Sequence, residues 1–480
     1  MTPQISKQHS NVVAAQPPTT LPKEDRMKAK RHLMFFALMF ALVALNGRLN
    51  AQFPVKEFVP FNSFVEETKA ANTSDYTARS TSKVRDAAAF EEMRQHILNL
   101  YQGVQVSHSF VVESQTYDCI AIEEQPSVRL LGLKGIAAPP PASAGPAERV
   151  GAPDNSRAQS GQTAVSSIFP AQGVDRFGNT IGCQANTVPV GRTTLEQMTR
   201  FPTLKAFLSK SPDGKGQPPV PLKDDGVIPP SPVQHDHDYT YQWIYNRGGN
   251  SNVSINNPYV YTPWGEVFSL SQVWYIGFNG GSTQTVEAGW QVYPGRLGDE
   301  KPHLFAYWTA DGYSRTGCYD YGCGAFVQYS SSIFLGAAFS SVSVPGGAQY
   351  EVPIEWEWWS GNWWLQVNGT WVGYYPGSLF GGGDMATHSA LIEFGGEIVG
   401  GNGTSYNYYP PMGSGYWGTS GWTWAAYQRR LWYFDSSYNT HWTSLGSGNE
   451  CPARTSMSGP YWGGSDWAIY FFFGGPGGYC

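Results

Sequence analysis

Between Val267 and Phe473 the chain breaks into short apolar stretches separated by glycine-rich turns, and this rhythm constrains the fold more than any other feature. Val267–Phe278, Thr285–Val292, Leu304–Trp308, Ala325–Tyr329, Tyr350–Trp358, Trp363–Val367, Leu391–Val399 and Ala468–Phe473 each read as a strand. Several strands at such short spacing predict an antiparallel β-sandwich or barrel, with no helix of consequence in this half. Composition agrees, because 55 glycines and 34 prolines interrupt helices while an aromatic content of 15% favours strands.

The 480 residues favour two or three structural units, and the chain divides sharply. All 18 tryptophans lie at or after Trp243; residues 231–480 carry 17 acidic and 7 basic side chains, the first 230 carry 20 and 24. Opposite signs on one chain predict an N-terminal segment that docks electrostatically on the C-terminal unit, as an inhibitory or chaperoning pro-segment would. The net charge of -6 gives no electrostatic reason for a nucleic-acid partner. In the N-terminal half, Phe90, Met93, Ile97 and Tyr101 repeat at helical spacing, which predicts a helix over Asp86–Gly103, with strands over Val104–Val112 and Tyr117–Ile122. Proline-rich stretches over 137–162 and 211–232 read as linkers. The expected organisation is a targeting signal over 1–51, a smaller α+β segment over 52–232 and a β-sandwich over 233–480.

Leu33–Leu45 has the length of a signal h-region, preceded by Lys28, Lys30, Arg31 and His32 and followed by Leu49-Asn50-Ala51, a tolerable cleavage site. Met27 opens a compact n-region and is an alternative start. The run is too short for an ordinary membrane span. Secretion to an extracellular or periplasmic space is therefore expected, with no membrane association after signal removal, and there disulfides persist. Six cysteines allow 15 pairings. Cys318 and Cys323 are close enough to close a small loop, Cys451 with Cys480 would tie down the tail, and Cys119 and Cys183 are left in the N-terminal half.

Familiar catalytic signatures are absent: there is no Gly-x-Ser-x-Gly, no His-Glu-x-x-His and no Walker motif. Gly413-Ser414-Gly415-Tyr416-Trp417-Gly418 matches a dinucleotide pattern but is not followed by a helix that could receive a pyrophosphate. His235-Asp236-His237-Asp238 has metal-ligating residue types, yet beside a proline-rich linker it reads as a solvated entry to the domain. No metal and no cofactor are expected. Carboxylates are more informative. Strand alternation sends Glu287, Gly289 and Gln291 to one face of their segment, and Glu393, Gly395 and Glu397 to one face of theirs, each acid beside a glycine that would leave room for a ligand. Two such carboxylates brought across a sheet can share a proton and supply an acid and a base in one site.

These residues belong to an ordered series of motifs: Phe268-Ser269-Leu270-Ser271-Gln272-Val273-Trp274, Val286-Glu287-Ala288-Gly289-Trp290-Gln291-Val292, Thr316-Gly317-Cys318-Tyr319, Gly361-Asn362-Trp363-Trp364, Ile392-Glu393-Phe394-Gly395-Gly396-Glu397, Met412-Gly413-Ser414-Gly415 and Phe473-Gly474-Gly475-Pro476-Gly477. The series resembles the neprosin family, secreted glutamic peptidases. Upstream, Asp118-Cys119 and Gln125-Pro126-Ser127 resemble the family's activation peptide, and Cys183–Thr194 resembles a further family stretch with Gly191 where an arginine is usual. The resemblance implies a zymogen with a removable segment, and catalysis by two glutamates. One maps onto Glu287. The other falls on Glu397 or Glu393, with Glu397 preferred because Gly395 and Gly396 precede it. Hydrolysis would run without a covalent intermediate, one ionised Glu activating water and its protonated partner serving the oxyanion and leaving nitrogen, so activity is expected in acid. Gln291 is a candidate to position water or hold the oxyanion, and the family's preference for cleavage after proline is expected to carry over. Expected partners are a peptide or protein substrate and the chain's own pro-segment. The rival classes are a carbohydrate-active protein, using Trp356, Trp358, Trp359, Trp363, Trp364 and Trp371 as stacking platforms beside paired glutamates, and a non-catalytic surface protein.

Overall fold

The computed structural model describes residues 57–143, 145–147, 163–165, 173–211, 234–401 and 408–479. The expected signal at 1–51 and most of both expected linkers lie outside these residues. In the N-terminal region, α1 (Phe61–Ala70), α2 (Thr73–Thr77) and α3 (Ala87–Leu100) precede strands β1 (Val106–Val112) and β2 (Gln115–Ala121), helix α4 (Pro126–Leu130), strands β3 (Thr163–Val165) and β4 (Thr187–Gly191), and the short helices α5 (Leu195–Met198) and α6 (Leu204–Leu208). Helix α3 starts where its cap does: the Asp86 carboxylate accepts from the Ala89 amide at 2.7 Å, satisfying a first-turn donor. Its apolar stripe, Phe90, Met93, Ile97 and Leu100, is buried. Strands β1, β2 and β4 form an antiparallel sheet held by the Cys119–Cys183 disulfide. At the end of β4, Arg192 grips both oxygens of buried Asp118, at 2.9 and 2.5 Å, a bidentate pair that compensates each charge where water cannot.

The C-terminal region holds β5 (Gln234–Asn246), β6 (Gly248–Ser254), β7 (Phe268–Asn279), β8 (Ser282–Val292), β9 (His303–Thr309), β10 (Cys318–Tyr319), β11 (Val327–Gln328), β12 (Gln349–Trp359), β13 (Asn362–Val367), β14 (Thr370–Pro376), β15 (Ser389–Gly400), β16 (Ala426–Phe434), β17 (Thr440–Trp442), β18 (Gly446–Asn449), β19 (Ser456–Trp462) and β20 (Ile469–Gly474). One sheet runs β10-β9-β8-β7-β15-β5-β18, the other β11-β14-β13-β12-β6-β16-β20-β19, with β17 on β16 and β3 on β12. Val273, Tyr275, Val286, Ala288 and Trp290 of the first face Val253, Val352, Ile354 and Leu365 of the second in one apolar core. Gln428 stitches the sheets by donating to Ser271 Oγ and to the Gln272 carbonyl, both at 3.0 Å. The expected antiparallel sandwich is thus the observed one, with Cys318–Cys323 closing the small loop. Cys451 is also disulfide-bonded, and its expected partner Cys480 lies outside the described residues. No helix among the described residues is long and apolar enough to cross a membrane.

The expected pairing of an N-terminal base with C-terminal acids occurs at Lys210. Among the described residues, the ion pairs that join 57–211 to 234–479 are those of Lys210 with Glu287 and Glu397, and one between Glu113 and Lys301 in which the signs are reversed. The rest of the seam mixes hydrogen bonds with apolar packing: Ser114 Oγ donates to Asp299 Oδ2 at 2.6 Å, His96 Nε2 meets the Gly322 carbonyl at 2.7 Å, and Gln125 donates to the Gln328 carbonyl at 2.9 Å while accepting from its backbone amide at 2.8 Å. Tyr117 and Phe110 pack on Phe334, Phe201 packs on Tyr293, and the N-terminal helices and the sandwich share one apolar core. Apolar burial, these hydrogen bonds and the buried Lys210 pairs hold the segment down together.

Candidate active site

The centre of the first sheet is built from β8, β7 and β15, and their pairing register stacks three rows on one face. Glu287, Trp274 and Glu393 lie opposite one another; so do Gly289, Gln272 and Gly395, and so do Gln291, Leu270 and Glu397. The glycine row has a different purpose from the one expected. A Cβ on Gly289 would sit 1.9 Å from the Ser271 carbonyl oxygen, and one on Gly395 2.0 Å from that of Asp238. These glycines therefore let neighbouring strands approach and coil rather than leave room for a ligand. A Cβ on Gly396 would strike the Phe473 ring at 2.4 Å, inside the core between the sheets.

Into this face comes Lys210, two residues beyond α6. That helix is seated by Arg296, which donates to the Phe207 carbonyl at 2.5 Å and lies over the Phe207 ring. The Lys210 ammonium donates to Glu287 Oε2, lies 2.8 Å from Glu397 Oε2 and 3.4 Å from Gln272 Oε1, and sits over the Trp274 ring. Each glutamate has further partners. Glu287 Oε1 accepts from Tyr313 Oη at 2.6 Å and Thr285 Oγ1 at 2.8 Å. Glu397 Oε2 accepts from Gln272 Nε2 at 2.8 Å, while its Oε1 meets His235 Nδ1 and lies 3.6 Å from His237 Nε2. The second nitrogen of each histidine is also engaged, His235 Nε2 with Ser211 Oγ and His237 Nδ1 with Glu450 Oε2 at 2.8 Å. Glu287, Glu397 and Lys210 are all buried from solvent.

Burial alone would raise the Glu397 carboxyl, but the Lys210 ammonium, His237 and the His235 hydrogen bond outweigh it and hold it well below the usual carboxylate range. Burial likewise opposes the charge on Lys210, and Glu287 and Glu397 overcome it and raise the ammonium above its ordinary value. Glu393 differs. Neither carboxyl oxygen has a hydrogen-bond partner, and burial pushes the group well above the usual range, so it is neutral. A carboxyl whose folded value is raised stabilises the fold below its unfolded value and loses that contribution as pH rises through the folded one. Wild-type stability should therefore fall above pH ~4.5 with a component of about 1.4 kcal/mol per pH unit from this group. Glu393→Gln, neutral and of the same shape, removes that component; urea unfolding between pH 5 and 8 measures it, and parallel pH slopes for both proteins would refute a buried neutral Glu393.

Of the residues singled out in the sequence, Glu287 and Glu397 meet at one cation. Glu393 shares their face without joining the hydrogen-bonded group. Gln291, expected to position water, makes no hydrogen bond through either end of its amide; Gln272, one strand over, is the amide that reaches a glutamate. The His235–Asp238 run is not a solvated entry, since all four residues are buried in β5 between β15 and β18. Three of the six tryptophans proposed as sugar platforms, Trp356, Trp363 and Trp364, are fully buried, with Trp356 stacked on Tyr375 and Trp363 donating to the Met385 carbonyl at 2.7 Å. Sequence reasoning missed Lys210, Tyr313, Thr285 and the role of the histidines. The alternation of His235 and His237 along β5 was the available signal for the last.

Residues 265–476 match the protein-family model described as Neprosin. Among solved structures, scytalido-glutamic peptidase with a transition state analog inhibitor is 11% identical over 50% of this chain and 98% of that one, at a TM-score of 0.26. The same peptidase with a peptide-based transition state analog gives 9% identity, 50% and 96% coverage and a TM-score of 0.24. A homodimeric agglutinin from chicken liver, CG-16, gives 7% identity, 33% and 92% coverage and a TM-score of 0.19. Structural likenesses this loose carry no weight for the chemistry.

Proposed function

We propose that this chain, whose residues 265–476 match the Neprosin family model, is a secreted glutamic endopeptidase made as a latent precursor, with Glu287 and Glu397 as the catalytic pair. The observation that carries this reading is the single ammonium of Lys210 held between those two carboxylates and reaching them from the segment N-terminal to the sandwich. A buried cation there helps hold the Glu397 carboxyl well below the usual carboxylate range and fills the space a scissile peptide and its water would need. Latency thus has a chemical cause as well as a steric one.

With the segment gone, two carboxylates remain in a buried setting that disfavours two negative charges, so one takes up a proton. The ionised glutamate draws a proton from water as it attacks the scissile carbonyl. The protonated one donates a hydrogen bond to the developing oxyanion and then passes its proton to the leaving nitrogen as the C–N bond breaks, so that the two carboxyls end with their protonation states exchanged. Tyr313 and Thr285, both donating to Glu287 Oε1, orient that carboxyl, and Gln272 orients Glu397. Cleavage after proline fits a site walled by Trp274 and Tyr313, whose flat faces suit a rigid pyrrolidine ring.

The test is turnover by the secreted chain after removal of residues N-terminal to the sandwich. Quenched-fluorescence peptides with proline or alanine before the scissile bond should be cut near pH 4, the proline peptide at least tenfold faster, with no loss of rate in chelator-treated, metal-free buffer. Turnover of oligosaccharides but not peptides would replace this reading with the carbohydrate-active one.

A further inference from the structure

His235 and His237 alternate along β5, and Glu397 stands directly opposite His237 on β15. The pairing brings one ligand-capable atom from each of the three side chains to within 4.8 Å of the others. Such a cluster of two imidazoles and a carboxylate has the composition of a transition-metal site, where nitrogen and oxygen ligands lie at about 2.0–2.2 Å from the ion. His237 is also held as a metal ligand is held. His237 Nδ1 is engaged by Glu450 Oε2 at 2.8 Å and His235 Nε2 by Ser211 Oγ, which leaves His237 Nε2 and His235 Nδ1 facing the same oxygen, Glu397 Oε1. A carboxylate on the outer nitrogen, as Glu450 is for His237, fixes ring orientation in known metal centres, and it stays when the segment with Ser211 departs.

We propose that His235, His237 and Glu397 form a binding site for a divalent cation of the zinc type, closed in the precursor and opened when Lys210 leaves, and that occupancy switches the peptidase off. In the precursor the Lys210 ammonium sits on Glu397 Oε2, the other oxygen of the same carboxylate. A divalent ion on Oε1 would face that like charge across one carboxyl group in a medium of low dielectric, where repulsion is large. All three ligands are also buried beneath the segment that carries Lys210 and Ser211. Departure of the segment removes the repelling charge and the cover together, and leaves Glu287 and Glu397 without their compensating cation. A metal ion on Glu397 restores that compensation and takes the carboxylate out of proton exchange. The binding half rests only on the residues above; the switching half rests on the reading of Glu397 as catalytic.

The two halves are tested separately. For binding, the full-length chain carrying Lys210→Gly is titrated with zinc chloride at pH 7 by calorimetry, and with cobalt(II) by visible absorption. One ion per chain is expected, bound at least tenfold more tightly than by the wild-type precursor, with a cobalt band typical of low coordination number. Adding His237→Ala should weaken binding at least tenfold. No stoichiometric ion in Lys210→Gly, equal affinity in the wild-type precursor, or indifference to His237→Ala would overturn the site. If Lys210→Gly lacks a cooperative melt, Lys210→Met, whose stem fills the same space, takes its place in every arm. For switching, the matured wild-type protein is assayed with zinc and then with excess EDTA; tenfold or greater inhibition reversed by EDTA is expected, and full activity at saturating zinc would overturn it. A matured protein with no peptidase activity at all would instead count against the proposed function, leaving the calorimetric result to decide the site.

Discussion

Glu287→Gln and Glu397→Gln should each give a folded, secreted chain whose activity after maturation is down by about 10³-fold or more, while Glu393→Gln stays within about tenfold of wild type. General acid–base catalysis by a positioned group contributes roughly 10²–10⁴-fold, and here each of two groups is asked to act in both halves of the reaction, so losing either approaches the upper end. Glutamine keeps the side-chain shape and can still accept from Tyr313 or Gln272, but it cannot exchange a proton at pH 4. Glu393 is already neutral, buried and without a hydrogen-bond partner, so its amide changes little in charge or packing. The measurement is kcat on a proline-containing peptide after cleavage of each precursor by an added protease, which separates catalysis from self-maturation. Should Glu393→Gln match the loss at Glu287 while Glu397→Gln remains active, the partner assignment is reversed.

Lys210→Met should release the N-terminal segment at neutral pH. Breaking a buried ion pair by removing one partner costs about 3–5 kcal/mol, which corresponds to roughly 10²–10⁴-fold more of the open form. Wild-type behaviour with pH follows from the directions of the two shifts. Glu397 is depressed, so its contribution is complete above the ordinary carboxylate value and lost only as pH falls through its own lower one; Lys210 is raised, so its contribution is complete below the ordinary ammonium value and lost only as pH climbs past its own higher one. The Lys210–Glu397 pair is therefore intact from about pH 4.5 to about pH 10, and weakens only gradually below that. Acidification to pH 4 does not by itself undo it, and activation there must come from cutting the proline-rich stretch at 211–232, with a new terminus expected between Pro218 and Tyr239. Incubated at pH 7, Lys210→Met precursor should convert at least tenfold faster than wild type, followed by gel shift and N-terminal sequencing. Conversion at the wild-type rate would mean that the rest of the seam keeps the segment in place.

What the sequence determined by itself was whatever depends on near neighbours. Period-two alternation in Val286–Val292 and Leu391–Val399 placed Glu287 and Glu397 on matching faces, because successive side chains of a strand alternate whatever the strand pairs with. The spacing of Phe90, Met93 and Ile97 gave α3 for the same local reason. Strands such as β6, with its two glycines and two asparagines, carried no such pattern; they are strands because the sheet on either side takes up their backbone hydrogen bonds. Nor did residue spacing reveal the purpose of the glycine row, which is set by how closely β7, β8, β15 and β5 approach. The site itself was decided last of all by tertiary structure. Lys210 lies 77 residues from Glu287 and His235 162 from Glu397, and no local rule relates positions so far apart. Only the closing of the sheet and the docking of the segment over it brought one buried ammonium to two buried carboxylates, where ion pairing offsets the cost of desolvation.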